Sequence, residues 1–309
     1  MNIRDLEYLV ALHEHRHFGR AAEASFCSQP TLSTQIRKLE TELGADLVER
    51  GSRQVLFTAV GERVVRRARH ILADAEEIRS ISRQAHDPRA GSIRLGVFPT
   101  LAPYLLPHVI GAVSADFPDL ELLLVEEKTP VLQDQLRAGS LDAALVAMPV
   151  ADESLAVVPL FREEFVLAIP AGHPLTDVVA PMPSSQVAGE DLLLLTEGHC
   201  MRDQALEVCR SVGGDERRGF QATSLETLRL MVAAGVGITL MPRLSVVHPV
   251  VSNPGIALRD FAEPAPHRDI AMVWRRSSVR RDLLQGISRS IRAALPDAVS
   301  PLPEPADLA

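Results

Sequence analysis

SQPTLSTQIRKLETELG, residues Ser28 to Gly44, is a helix with two unlike faces. Ser28 is a good N-cap, and Pro30 falls in the first turn, where its missing N–H costs nothing. Leu32, Ile36, Leu39 and Leu43 form an apolar stripe, and Gly44 ends the helix. The other face carries Gln29, Thr31, Ser33, Thr34, Gln35, Arg37 and Lys38. Short amides and hydroxyls lie toward the N-terminus and cations lie further on. A helix that enters the major groove needs this order, because amides and hydroxyls read base edges while cations hold phosphates. A solvated face of an ordinary helix bundle carries a similar pattern, so the flanking segments have to discriminate.

Upstream, Ile3, Leu6, Leu9, Val10 and His13 share one face, which predicts a first helix to about His15. Gly19–Ala24 is a short second helix whose Ala21–Ala22 pair permits close approach, and Phe26–Cys27 is a turn. Short helix, turn and capped polar helix is the order of a helix-turn-helix. Downstream, Leu47–Arg50 and Arg53–Phe57 flank Gly51–Ser52 and predict a β-hairpin, with Arg50 and Arg53 at its tip suited to a phosphate backbone. Thr58 caps a helix predicted to run to about Ala85. Its stripe of Val64, Ala68, Ile71, Leu72, Ala75, Ile78 and Ile81 exceeds what one small domain covers and predicts pairing with a second copy. Asp87–Gly91 reads as a hinge.

The length suggests two domains, or one large and one small. Hydrophobic residues make up 46% of the chain, enough for a packed core, with one Trp and two Tyr. Lys38 and Lys128 are the only lysines. The formal charge of −8 is uneven: residues 1–85 hold 13 Arg and Lys against 12 Asp and Glu, and the remainder holds 19 against 28. The less acidic N-terminal segment is compatible with nucleic-acid contact. No apolar run approaches the ~20 residues of a membrane span, and the opening Met1–Glu7 is charged rather than a signal peptide. A soluble, cytoplasmic protein without a membrane partner is expected, in which three cysteines do not form a disulfide scaffold.

Beyond the hinge, Ile93–Phe98, Leu120–Val125 and Leu141–Val146 read as strands, separated by helices over residues 102–116 and 130–138. This βαβαβ rhythm predicts a mostly parallel sheet. Further strands are predicted at Phe165–Ile169, Leu192–Leu195, 236–240 and Ile270–Trp274, with helices at 224–234 and 279–294. Pro301–Pro305 reads as a disordered tail.

The Ala21–Ala22 pair, Ser28–Ser33, Ile36–Glu40 and Leu43–Gly44 resemble the DNA-binding domain of LysR-type transcriptional regulators, and the resemblance extends through the chain. It implies an α/β fold with an N-terminal all-α winged helix-turn-helix and a C-terminal two-lobed, periplasmic-binding-protein-like α/β regulatory domain. The expected divisions are a DNA-binding domain over 1–58, a linker and dimerisation helix with its hinge over 59–91, lobe I over 92–162 and 268–296, lobe II over 163–267, and a disordered tail over 297–309. Expected DNA contacts are Gln29, Pro30, Thr31, Ser33, Thr34, Arg37, Lys38, Arg50 and Arg53. In folds of this kind a ligand lies at strand C-terminal ends, in the crevice between lobes. Thr100, Thr129 and the pair His199–Cys200 each follow a predicted strand and are candidates to converge there.

The segment Gly198–Cys209 holds two of the three cysteines, and Cys200–Cys209 has helical periodicity without Gly or Pro. Nine helical residues separate the thiols by about 13 Å of rise and put them on opposite faces. A disulfide needs Cα atoms within about 7 Å, so the pair cannot join while the helix is intact. Cys200 opens the helix, where the N-terminal dipole is expected to lower its pKa and favour thiolate. Thiolate reacts with peroxide to give a sulfenic acid that a second thiol resolves, roles that suit Cys200 and Cys209 respectively.

Thr196–Ala205, Ala222–Arg229, Pro103–Pro107 and the opening Met1–Ala11 are similar to the peroxide-sensing branch of the LysR family. That resemblance implies a hydrogen-peroxide-sensing transcriptional regulator. Cys200 would be its peroxidatic and Cys209 its resolving cysteine, with Thr100, Thr129 and His199 holding peroxide. Asp203 would assist proton movement, and Arg268 would stabilise the thiolate. It further implies promoter DNA as partner, a dimer of dimers, RNA polymerase, a thiol reductant such as glutaredoxin or thioredoxin, and a place on the nucleoid. Neither cofactor nor metal is expected, since His199, Cys200 and Cys209 match no short zinc spacing. Cys27 departs from the pattern and reads as turn packing. Two other functions are compatible with the segment: a LysR-type regulator answering a small organic effector in the inter-lobe crevice, and a thiol peroxidase, for which the expected proline and threonine around Cys200 are missing.

Overall fold

The computed structural model describes residues 1–49, 55–84, 91–187, 190–211, 215–250 and 252–303. The chain divides into two compact units, one of Met1–Asp87 with Arg137–Ser140 and a larger one of Pro88–Leu136 with Leu141–Ala309.

The N-terminal unit contains α1 (Ile3–His15), α2 (Phe18–Ala24), α3 (Gln29–Leu43) and α4 (Ala59–Gln84). Asn2 and Asp5 form a reciprocal capping box on α1. The Thr31 N–H donates to Ser28 Oγ at 3.3 Å, and Gly44 closes α3 in the left-handed region at φ 63°. Leu9, Leu12, Ala21, Leu32, Ile36 and Leu39 pack as one core. Glu40, on the buried side of α3, accepts from the Leu47 and Val48 N–H groups at 2.9 and 3.1 Å and so ties the helix to the base of the wing. That base is an antiparallel bridge between Val48 and Phe57. The wing tip with Arg50 and Arg53 lies outside the described residues. Thr58 Oγ1 accepts from Gly61 N–H at 2.9 Å, and a Cβ on Gly61 would lie 2.1 Å from the Leu47 carbonyl oxygen, so only glycine lets α4 start there. Val65 and Ala68 enter the core, whereas Ile71 and Ile78 of the α4 stripe are exposed.

The larger unit begins with β1 (Gly91–Val97), so Gly91 belongs to a strand rather than to the hinge, whose other residues lie outside the described ones. It continues with α5 (Ala102–Asp116), β2 (Leu120–Glu126), α6 (Thr129–Arg137), β3 (Ala143–Ala147), β4 (Leu155–Pro170), β5 (Asp191–Leu195), α7 (Cys200–Ser211), β6 (Asp215–Ala222), α8 (Leu225–Ala233), β7 (Thr239–Pro242), β8 (Ile256–Arg259), β9 (His267–Arg275), α9 (Arg281–Ala293) and β10 (Ser300–Pro301). The crossover helices α5 and α6 make β1, β2 and β3 parallel. β5 and β6 also pair parallel, in a separate two-stranded sheet, but the expectation of a mostly parallel sheet fails for the rest. β9 pairs antiparallel with β3 and β4, and β7, β8 and β10 all pair antiparallel with β4, because no crossover helix returns these strands in the same direction.

The strand expected at Phe165–Ile169 is the second half of a 16-residue β4 that serves two cores. Leu155–Phe161 packs with β1, β3, β9, α5, α6 and α9, and Phe165–Ile169 packs with β5, α7, α8 and β7. Tyr104 of α5 touches both cores. The expected disordered tail is corrected as far as Pro303: Ser300 and Pro301 pair with Arg162 and Phe161, the Leu302 N–H donates to the Leu160 carbonyl at 3.0 Å, and Arg292 holds the Leu302 carbonyl. An edge strand tolerates prolines, because its outer N–H groups need no strand partner. Among the described residues no helix is long and apolar enough to cross a membrane.

Candidate functional site

β5 ends at Leu195, the turn Thr196–His199 follows, and Cys200 opens α7. Gly198 adopts φ +87°, which a side chain would strain. Arg202, one turn into α7, donates from Nη1 to the Leu195 carbonyl at 2.9 Å and from its backbone N–H to the His199 carbonyl at 2.9 Å, pinning the turn to the strand that precedes it. Cys200 is partly buried and packs against the first core, the one built on β1, β3 and β9.

The site from that side is a buried guanidinium. In the β4–β9 ladder Glu163 stands opposite Arg268. Arg268 Nε donates to Glu163 Oε2 at 2.7 Å, and both side chains are fully enclosed. The Leu244 N–H donates to the other carboxylate oxygen at 2.8 Å. Arg268 then reaches Thr100, donating to its Oγ1 and its carbonyl, each at 3.0 Å. The guanidinium lies over Phe98, 5.2 Å from the ring centroid, and near Phe165, at 5.9 Å. A buried charge requires this degree of satisfaction.

The thiol does not behave as its helix position predicts. Burial pushes the Cys200 pKa up, overcoming the Arg268 charge, the Thr129 hydroxyl and the Met201 N–H, which all pull it down; Asp203 adds to the rise. A helix N-terminus favours thiolate, but removing the sulfur from water disfavours it more. Thr129, at the start of α6, acts on the thiol through its hydroxyl, yet its buried Oγ1 has no hydrogen bond of ordinary geometry in the structure. His199 is buried, and its pKa is lowered by that burial and by the Lys128 charge. Asp203 is exposed on the first turn of α7. Thr129 and Arg268 thus bear directly on Cys200, Thr100 is held by Arg268, His199 is next to the cysteine in the chain and Asp203 three residues on. Cys209 lies nine residues along the same intact helix, about 13 Å of rise away.

Two residues escaped the sequence reading. Glu163 fixes Arg268, and its signal was its phase with Phe161 and Phe165, two residues to either side on the buried face. Lys128 donates to the Glu197 carbonyl at 2.8 Å, a contact across 69 residues with no local signature. In the N-terminal unit Gln29, Pro30, Thr31, Thr34, Arg37 and Lys38 are exposed on α3, and Ser33 is half-buried. Among the described residues no group of three His, Cys, Asp or Glu side chains is placed to hold a metal ion.

Residues 3–62 match the bacterial regulatory helix-turn-helix protein family of LysR type, and residues 86–296 match the LysR substrate binding domain. The DNA-binding transcriptional dual regulator OxyR of Escherichia coli K12 is 47% identical over 295 residues, 96% of each chain. A full-length cysteine-to-aspartate variant of Pseudomonas aeruginosa OxyR superposes with a TM-score of 0.77 at 38% identity over 95% of both chains. A cysteine-to-serine variant of Corynebacterium glutamicum OxyR with hydrogen peroxide bound gives 0.62 at 34% identity, over 95% of this chain and 94% of that one. With both of its parts matched and relatives aligned over nearly their whole length, the chain belongs to the LysR family of transcriptional regulators, in the OxyR branch.

Proposed function

We propose that the protein is a hydrogen-peroxide-sensing, DNA-binding transcriptional regulator whose switch is the Cys200–Cys209 helix. The observation that carries this reading is the pairing of a partly buried thiol, acted on by Thr129 and by an Arg268 that also holds Thr100, with a second cysteine on the same intact helix. The Cys200 sulfur attacks one peroxide oxygen. The O–O bond breaks, the sulfenic acid forms, and the leaving hydroxide takes up the thiol proton as water. The Cys209 thiol then attacks the sulfenic sulfur, the S–O bond breaks, and a second water leaves. The Arg268 charge supports thiolate in the first step, and the Thr129 hydroxyl, Thr100 and His199 supply hydrogen bonds to peroxide, with Asp203 placed to assist proton movement from the exposed side.

The disulfide requires Cα atoms within about 7 Å, so α7 has to unwind between the two residues. Met201 and Ala205 of α7 are buried in the core that also contains β5, β7 and α8, and unwinding exposes or repacks them. In this reading that repacking moves the subunits of a dimer of dimers and alters how α3, with Gln29, Pro30, Thr31, Ser33, Thr34, Arg37 and Lys38, and the wing arginines Arg50 and Arg53 meet promoter DNA. The reading takes 92–162 with 268–296 as one lobe and 163–267 as the other, and the presence of two separate cores supports it. RNA polymerase and a thiol reductant such as glutaredoxin or thioredoxin complete the cycle in the cytoplasm. A sensor has no need of turnover, which separates this role from a thiol peroxidase.

The test is a DNA footprint of the wild type and Cys200→Ser under reducing and oxidising conditions, with mass spectrometry of the thiols. Peroxide is expected to link Cys200 to Cys209 and change the wild-type footprint, and to leave the footprint of Cys200→Ser unchanged. Both thiols remaining free after excess peroxide would falsify the reading.

A further inference from the structure

Two residues that touch across the β5–α7 turn flank the reacting groups in sequence. Lys128 immediately precedes Thr129, and Glu197 is three residues before Cys200. Lys128 Nζ donates to the Glu197 carbonyl at 2.8 Å. The lysine stem also packs under the turn: a Cβ at Gly198 would meet Lys128 Cδ at 3.1 Å and Nζ at 3.5 Å. Glycine at φ +87° therefore does two things there, reversing the chain and leaving room for the lysine. Among the described residues no carboxylate pairs with the ammonium. Lys128 is one of two lysines in a chain that otherwise uses arginine. A flexible stem with a terminal charge threads beneath the turn.

We propose that Lys128 is a positioning residue for the peroxide step, a latch that holds the Thr129 hydroxyl and the Cys200 thiol in register. The inference rests on the peroxide reading above. Thr129 opens α6, whose Leu132 and Leu136 pack in the first core, while the turn before Cys200 follows β5, which packs in the second. Cys200 itself also packs against the first core, and the Lys128 contact adds a direct tie between the start of α6 and the turn that carries the thiol. With it, the Thr129 Oγ1, buried and lacking an ordinary hydrogen bond, is kept where a peroxide bridging it to the sulfur is held at both ends. The same ammonium bears on His199, which stays neutral through burial and the Lys128 charge and so is able to accept a proton as well as donate one. The other charges of the site bear on Cys200 instead: Arg268, paired with Glu163, from β9, and Asp203 from the first turn of α7. Misplacement by a fraction of an ångström is costly in a step that depends on alignment.

The experiment compares full-length wild type, Lys128→Met and Lys128→Arg. Peroxide oxidation of Cys200 is timed by quenching with an alkylating agent and mass spectrometry, from about pH 5.5 to 8, the range in which imidazole titrates. Iodoacetamide alkylation of the same thiol is timed in parallel, because it needs thiolate but no held peroxide. Lys128→Met is expected to slow peroxide oxidation about tenfold, the scale of one charge-assisted hydrogen bond, while alkylation changes less than about twofold. Its peroxide rate is expected to decline at higher pH than in the wild type, as His199 protonates more readily. Lys128→Arg, which keeps the charge, is expected to recover most of the loss. Equal peroxide rates in wild type and Lys128→Met, a parallel fall in both reactions, an unshifted pH profile, or a Lys128→Arg as slow as Lys128→Met each overturn the latch. A wild type whose Cys200 does not react with peroxide overturns the sensor reading itself, which separates the two failures.

Discussion

Two neighbouring rungs of the β4–β9 ladder each pair an arginine with a carboxylate. Arg162 faces Asp269 on one face of the sheet, and Glu163 faces Arg268 on the other. The outer pair is bidentate at 2.7 and 2.8 Å, with the Arg162 side chain 44% exposed. The inner pair is fully enclosed. The chemistry is the same and the separation is one residue, since successive strand residues point to opposite faces. What differs is the number of groups that depend on each. The outer pair holds two side chains in solvent, where Coulomb attraction is screened and ordering long side chains offsets much of it. The inner pair also engages Leu244, Thr100 and the rings of Phe98 and Phe165, and through Arg268 it reaches Cys200.

The largest expected effect follows from breaking the inner rung. Glu163→Ala leaves the Arg268 charge enclosed without its carboxylate, and the Leu244 N–H without an acceptor. A loss of about 3–5 kcal/mol is expected. Urea unfolding followed by the fluorescence of Trp274 reads it directly, because this tryptophan is buried on β9, five residues or more from either rung, and is the only one in the chain. A loss below about 1 kcal/mol would show that the rung is no more than its outer neighbour in a different place.

A gentler change asks how the inner rung sets the sensor thiol. Glu163→Gln keeps the shape and an acceptor but removes the negative charge that balances Arg268. The unbalanced guanidinium favours thiolate, so the Cys200 pKa falls toward its ordinary value and the thiolate fraction at neutral pH rises. Iodoacetamide alkylation at pH 7 is expected to accelerate about threefold to tenfold, the span of a half to one pKa unit. Asp269→Asn, the matching change on the outer rung, is expected to leave that rate unaltered. Equal responses of the two variants would remove the distinction between the faces.

The same contrast explains what the amino-acid sequence disclosed. Local features were legible: the Ser28 cap, the Gly44 stop, the apolar stripe of α3 and the position of Cys200 at a helix start are each set by residues within a turn or two. Thr100, Thr129 and His199 were candidates because each follows a predicted strand, but their roles, and Asp203 and Arg268 altogether, came from resemblance, since nothing in a lone threonine after a strand marks its neighbours. Arg162-Glu163-Glu164 puts three consecutive charges into the middle of β4, and the expected strand, Phe165–Ile169, covers only the part after them. Its burial is decided by β9, more than a hundred residues away. The Cys200 pKa was misjudged for a related reason. The helix dipole is a property of the chain segment, whereas the desolvation that outweighs it comes from side chains of other strands and helices. Lys128 was visible only as a rare residue type, without any hint of the carbonyl it binds.

The smallest effect is expected on the outer rung, and its pH dependence tests the assignment. Asp269 is held below its ordinary carboxylate pKa first by the hydrogen bonds from Arg162, with burial opposing and His267 assisting. A carboxyl whose folded-state pKa is depressed releases its proton more readily in the native chain than in the unfolded one. The pair therefore contributes to stability above the unfolded-state value near pH 4, and the contribution disappears as pH falls through the lower folded-state value. Arg162→Ala is expected to cost about 0.2–1 kcal/mol at pH 7, less in 1 M salt, and progressively less below about pH 4. The Trp274 unfolding curves at pH 7 and at acid pH, with and without salt, measure all three. A cost above about 2 kcal/mol at neutral pH, or one that persists after Asp269 is protonated, would mean that Arg162 acts through its packing against the β10 edge rather than through its charge, and the two rungs would then differ in kind and not only in exposure.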